Sequence, residues 1–182
     1  GSSNAATLLK FFNSNMNLRF NKNQLRKIAN KIGQDTTISL FKKNTLISGE
    51  EKKIIRFDYK LRLNVLIVYP NVICSTKKIY KKNKEFSSQS SLKNFTLKSR
   101  KKLINFLKNE NNDLQITTIK YYPKVGKIIN IIQSQNGCDF SRITGSGSAC
   151  IGIFNTKKNA IYAQKLIKLK YPKYWSVVSK TI

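Results

Sequence analysis

A chain of 182 residues, 40% of them hydrophobic, can bury one medium core or two small ones. No apolar run nears the ~20 residues of a membrane-spanning helix and no signal-peptide pattern is present; three widely spaced cysteines (Cys74, Cys138, Cys150) without a histidine point to neither a disulfide framework nor a zinc site. The 35 Lys and Arg against 8 Asp and Glu give a formal charge of +27, but 29 Lys, 20 Asn and 22 Ile share A/T-rich codons and the lysines run along the whole chain, so we read compositional bias, not a nucleic-acid interface.

In chain order, GSSN leads into AATLLKFF, where Ser or Asn can cap a first helix carrying Ala5, Ala6, Leu8, Leu9 and Phe12 at helical spacing. Residues 21–32 read as a second helix, with a capping box at Asn21 and Gln24 and Gly33 at its end. Asp35 stands at the expected start of a third, as an acidic N-cap or as a carboxylate aimed into a cleft. Residues 44–58 alternate as a hairpin turning near Gly49, and 63–69 read as a strand closed by Pro70. Ser75 or Thr76 caps a short helix bearing Tyr80, residues 81–93 read as a polar loop, and 96–107 as an amphipathic helix. Helical regions follow from Asn111 and over 123–135, then a strand pair in SRITGSGSACIGIF, a helix over 156–171 and a last strand in YWSVVSKTI. From residue 63 the order is strand, helices, two strands, helix, strand, the split βαβ plan of a ferredoxin-like α+β domain. Cys74 and Cys150 are expected as small buried hydrophobes.

Two segments of small residues carry chemistry. The glycine-serine entry at residues 1–4 offers free N–H groups and the positive end of a helix dipole, which suits a phosphate. In the turn over 144–148, Gly145 and Gly147 let the backbone take positive φ and approach a ligand.

Taken together, these segments resemble the GHMP-superfamily small-molecule kinases. Within that superfamily they resemble the branch whose acceptor is 4-diphosphocytidyl-2-C-methyl-D-erythritol, an intermediate of non-mevalonate isoprenoid (terpenoid) biosynthesis. GSSNAA matches the end of the family's phosphate loop, and IGQDTT places its catalytic aspartate at Asp35. The substrate-side segment matches Pro70, Ser75, Thr76 and Tyr80, and the Asn-Asp-Leu motif matches Asn112, Asp113 and Leu114, with Pro123 after it. The third glycine motif matches Gly145, Ser146 and Gly147. The chain departs from the pattern where Thr36-Thr37 replaces Val-Pro and where a Gly-x-Gly-Glu turn is shortened to Gly49-Glu50.

The resemblance implies a two-domain GHMP fold, with residues 1–60 the remainder of an incomplete ATP-binding domain and 61–182 a C-terminal domain. It implies a cytoplasmic, ATP-dependent transferase, monomeric or homodimeric, in which Gly1, Ser2, Ser3 and Asn4 hold the phosphates of ATP and the turn of Gly145, Ser146 and Gly147 closes over the phosphates or the substrate's polar end. Ser3 would reach Mg²⁺, Asp35 would serve the attacking alcohol, and Thr76 and Tyr80 would meet the substrate, Tyr80 by stacking on cytosine. The family's opening third, with a catalytic lysine, has no counterpart here, so residues 1–182 alone are expected to be inactive. Two other readings stay open: a homoserine or mevalonate type of GHMP kinase, and a basic nucleic-acid-binding module.

Overall fold

A computed structural model describes residues 1–41, 44–48, 53–57, 62–87 and 99–181. It divides the chain into two compact units, Gly1–Lys60 and Leu61–Thr181.

In the first unit, helix α1 (Ser2–Asn15) is followed by α2 (Lys22–Ile32), α3 (Gln34–Leu40) and an antiparallel hairpin of β1 (Asn44–Ser48) and β2 (Lys53–Phe57). The expected turn residue Gly49 lies outside the described residues. Ala6, Ala29 and Leu40 form the buried centre, lined by Leu9, Leu25 and Phe41. Alanine at two of these three positions lets the helix axes approach closely. The expected capping box is present: Asn21 Oδ1 accepts from the N–H groups of Asn23 and Gln24, and Gln24 Oε1 accepts from Asn21 N.

The start of α1 differs from expectation. Neither serine nor Asn4 caps it; Gly1 is the N-cap, without a side-chain bond, because its carbonyl already accepts from Ala5 N at 3.1 Å. Ser2, Ser3 and Asn4 therefore occupy the first turn itself, where backbone N–H groups have no intrahelical acceptor. Asp35 is likewise not an N-cap. Gly33 takes that position, its carbonyl accepting from Thr36 N and Thr37 N, and Asp35 falls in the first turn of α3.

The second unit is built on a four-stranded antiparallel sheet in the order β4–β5–β3–β6, from β3 (Asn64–Tyr69), β4 (Cys138–Ile143), β5 (Cys150–Phe154) and β6 (Trp175–Lys180). In chain order this is the split βαβ, ferredoxin-like arrangement. Between and after the strands lie α4 (Thr76–Lys82), α5 (Arg100–Asn109), α6 (Leu114–Tyr121), α7 (Pro123–Gln133) and α8 (Lys157–Lys170). The period-2 alternation of strand side chains separates two apolar clusters. Leu66, Val68, Cys150 and Phe154 join Ile128 and Ile132 of α7 and Ala163 and Ile167 of α8. Val65, Phe140 and Ile153 join Leu63 and Ile104 of α5. Each fully buried branched side chain contributes about 1.5–3 kcal/mol.

Gly152 fixes the spacing of α7 over the sheet. A Cβ there would fall 2.3 Å from Ile132 Cγ2, so only glycine accepts the ridge of the helix so close. At the end of the sheet, Leu63 N donates to Thr181 Oγ1 (2.9 Å) and Thr181 N donates to Leu63 O (3.0 Å), so residues near the two bounds of the unit pair with each other.

Two helix boundaries move. The segment read as a loop from residue 81 begins inside α4, which ends at Lys82, and its residues 88–93 lie outside the described residues. The helix expected over 96–107 begins at Arg100, capped by Ser99, whose Oγ accepts from Lys102 N, and extends to Asn109; residues 96–98 lie outside the described residues. An Arg100–Asp139 ion pair at 3.2 Å, with a second Arg100 bond to Phe154 O, ties that first turn to β4 and β5.

Candidate functional site

The sequence-predicted residues fall in both units. In the first, Gly1, Ser2, Ser3 and Asn4 form the N-cap and opening turn of α1, with Gly1, Ser3 and Asn4 exposed. Ala6, one turn further on, is buried and anchors this helix end to the unit's core. Asp35 is exposed on the first turn of α3, and among the described residues it has no ion-pair or hydrogen-bond partner. The Thr36-Thr37 pair beside it is buried, and Thr37 Oγ1 donates to Asn30 Oδ1 at 2.5 Å. Thr37 thus fastens the start of α3 to α2, while the carboxylate of Asp35 faces water.

In the second unit the glycine turn and the substrate-side segment meet. Thr76 Oγ1 and Ser146 Oγ, 70 residues apart in sequence, are 2.9 Å apart. Thr76 opens α4 directly after its N-cap Ser75, whose Oγ accepts from Lys78 N. Ser75 N in turn donates to Tyr122 Oη at 3.3 Å, and Ser148 Oγ donates to Val72 O. Two bonds therefore cross between the segment over 72–76 and the turn over 146–148.

The turn itself takes left-handed backbone at Gly145 (φ 58°) and Gly147 (φ 80°), and it is closed by Gly147 N donating to Thr144 O and Thr144 N donating to Ala149 O. Alternation of left- and right-handed residues is the geometry in which successive N–H groups converge on an anion. Among the described residues the N–H groups of Gly145 and Ser146 have no acceptor. Gly145 is exposed, whereas Ser146 is buried.

Gly145 also lines a cleft of about 680 Å³ on the face of the sheet that carries Val65, Phe140 and Ile153. Tyr80, 56% exposed, lines the same cleft, so its ring is available to a ligand and is not core packing. The cleft brings Tyr80, Gly145, Asp113 and Arg142 to one concave surface with an apolar floor. No cluster of three or more His, Cys, Asp or Glu that could hold a metal ion exists among the described residues.

Asn112, singled out by the Asn-Asp-Leu motif, is joined by Gln115 and Thr118, which escaped sequence reasoning, and the three bond the glycine segment from the start of α6: Asn112 Nδ2 to Gly145 O (2.9 Å), Gln115 Oε1 from Ile143 N (3.0 Å), Thr118 Oγ1 to Ser146 O (3.2 Å). Their three-residue spacing was the available signal, because it places polar groups along one helix side. Arg142 lies 4.4 Å over the Phe140 ring and donates to the carbonyls of Leu107 and Glu110 at the end of α5. Burial lowers its pKa, partly opposed by the charge of Glu110.

Burial lifts the Cys150 thiol to about 12 and that of Cys138 to about 11, the charge of Asp139 adding to the latter. Cys74, only partly buried, is also raised by desolvation, against which a hydrogen bond with Ser148 acts.

Known proteins resemble this chain over its whole length. The family model described as GHMP kinases C terminal matches residues 90–172. The 4-diphosphocytidyl-2-C-methyl-D-erythritol kinase of Pelagibacter ubique (strain HTCC1062) is 34% identical, aligned over 100% of this chain and 63% of its own length. The protein of the same name from Wolbachia pipientis wMel is 32% identical over 83% of this chain and 52% of its own length. A crystal structure of 4-(cytidine 5'-diphospho)-2C-methyl-D-erythritol kinase shares the fold with a TM-score of 0.75 at 16% identity, covering 97% of this chain and 63% of that one. The chain spans between about half and two thirds of the length of these curated relatives. No helix among the described residues is long and apolar enough to cross a membrane.

Proposed function

Because the chain belongs to the GHMP kinase family, we propose that it serves a cytoplasmic kinase which transfers the γ-phosphoryl group of ATP to the 2-hydroxyl of 4-diphosphocytidyl-2-C-methyl-D-erythritol, in isoprenoid biosynthesis. The observation that carries this reading is the Thr76–Ser146 bond, together with the shared cleft of Tyr80 and Gly145. An aromatic face for a base and an anion-binding turn stand together, as a cytidine diphosphate ester requires. The names and identities of the relatives support the same substrate.

Phosphoryl transfer depends mostly on positioning and on neutralising charge. In this reading the opening turn of α1 holds the phosphates of ATP through the N–H groups of Ser2, Ser3 and Asn4, with Gly1 leaving room for close approach. Magnesium, when bound, would neutralise the phosphate oxygens, and the exposed hydroxyl of Ser3 would hold it. Asp35, exposed and without a partner among the described residues, accepts the proton of the attacking 2-hydroxyl. Tyr80 stacks on cytosine, Thr76 orients the polar part of the acceptor through its link to Ser146, and the turn of Gly145, Ser146 and Gly147 receives the diphosphate.

The test is ADP release with this acceptor. It is run on residues 1–182 and on a chain extended at its N-terminus to the length of the relatives, each with and without Asp35→Asn. Turnover of the extended chain that collapses in the variant supports the reading, while turnover by residues 1–182 alone overturns the expected inactivity of that segment. Preference for homoserine or mevalonate would move the protein to another branch of the superfamily. Salt-sensitive RNA binding without any turnover would make the charge the functional feature instead.

A further inference from the structure

Asn112 takes no part in the chemistry outlined above, yet it lines the same cleft as Gly145, and its side chain is the most fully committed one holding the glycine turn. Its amide nitrogen donates to two carbonyls of that segment, Gly145 O at 2.9 Å and Ile143 O at 3.3 Å. Its amide oxygen accepts from Leu114 N at 3.0 Å, which secures the first turn of α6. One half-buried group thus fastens the turn to the end of a packed helix whose Leu114 and Thr118 are buried.

The direction of these bonds matters. Asn112 and Thr118 engage the carbonyls of Ile143, Gly145 and Ser146, so the acceptors of the turn are occupied from the α6 side. The donors that remain are the N–H groups of Gly145 and Ser146, which have no acceptor among the described residues. A turn whose carbonyls are held and whose Gly145 and Ser146 amides have no acceptor among the described residues is preorganised for an oxyanion, because neither donor has to be released before binding.

We propose that Asn112 is a positioning residue that holds this turn so that the amides of Gly145 and Ser146 meet the diphosphate of the acceptor substrate. The inference rests on the kinase reading for the identity of that diphosphate. The acceptor is favoured over ATP because Gly145 shares its cleft with Tyr80 and Ser146 bonds to Thr76 at the start of the Tyr80 helix.

Asn112→Asp separates positioning from helix capping. It keeps an oxygen for Leu114 N and adds a charge favoured at a helix N-terminus, but it sets an acceptor against the carbonyls of Gly145 and Ile143. Asn112→Ser retains a capping oxygen and is too short to reach Gly145. Both variants are expected to melt within a few degrees of the parent. Amide exchange at Thr144 and Gly147 should quicken at least tenfold, and the KM for the acceptor should rise at least tenfold with a much smaller change in kcat. Unchanged exchange at the turn, or an effect confined to the KM for ATP, overturns the inference. If exchange quickens locally in an N-terminally extended protein that never phosphorylates the acceptor, the kinase reading has failed and the hold of Asn112 on the turn stands.

Discussion

The methyl group of Thr118 stands 3.0 Å from the point that a Cβ at Gly147 would occupy, whereas nothing lies within 4 Å of the corresponding point at Gly145. The two glycines of the turn therefore answer different demands. Both take positive φ, which costs an alanine about 1–2 kcal/mol, but only Gly147 is also pressed by a neighbour. Gly147→Ala should destabilise the protein more than Gly145→Ala in urea unfolding. Thr118→Ser, which removes the methyl and keeps the hydroxyl that bonds Ser146 O, should narrow that gap. An equal cost at both glycines would show that backbone conformation alone decides.

Tyr80 bears on binding more than on folding, because it is 56% exposed on a helix held by its buried neighbour Ile79. Stacking of an aromatic ring on a base is worth about 1–3 kcal/mol, so Tyr80→Ala should raise the KM for the acceptor by about ten- to a hundredfold. Tyr80→Phe, which keeps the stacking face, should leave it within about threefold. Equal effects of the two substitutions would assign the role to the hydroxyl instead.

Asp35 offers a cleaner separation of activity from stability. Its side chain is exposed and has no partner among the described residues, so Asp35→Asn should leave the thermal midpoint unchanged. A positioned base contributes about 10²–10⁴-fold, and kcat should fall by that order while the KM values move little. Retained turnover would require a different base.

Alkaline pH provides a test of the core around β5. Desolvation raises the Cys150 thiol to about 12 from 9.0, so above pH 9 the unfolded chain releases this proton while the folded chain retains it. Stability from this group is complete below pH 9 and is lost as pH rises towards 12, by up to about 1.4 kcal/mol per pH unit. Cys150→Ala removes the effect. The stability difference between parent and variant should be flat below pH 8 and shift towards the variant above pH 9 in urea titrations. A difference that stays flat to pH 11 would show that the thiolate is tolerated in place.

Much of the second unit was legible in the sequence because its signals are local. The apolar run of β5, Pro123 at the first turn of α7 and Thr156 before α8 each fix an element from within a few residues. The first turn of α1 was misread for an equally local reason: three capping-type residues in a row, Ser2, Ser3 and Asn4, cannot reveal which carbonyl closes the first helical bond, and Gly1 did so. The same ambiguity put Asp35 two places from its true position, since Gly33 both ends α2 and caps α3. Contacts such as Thr76 with Ser146, or Arg142 over Phe140 and under the carbonyls ending α5, depend on chain crossings that no local pattern encodes. Asn112 was visible only as a motif, and its task emerged once the turn it grips was placed beside it.

The pairing of Leu63 with Thr181 ties together the two bounds of the second unit, Leu61–Thr181, across 118 residues of sequence. A segment whose entrance and exit coincide can be spliced into another polypeptide, or have its ends linked and be reopened at a surface loop, with little disturbance to its strand register. The unit is thus a plug-in cassette. What it carries, the cleft with Tyr80 and the glycine turn, lies within its own bounds, whereas Asp35 and the opening turn of α1 belong to the other unit.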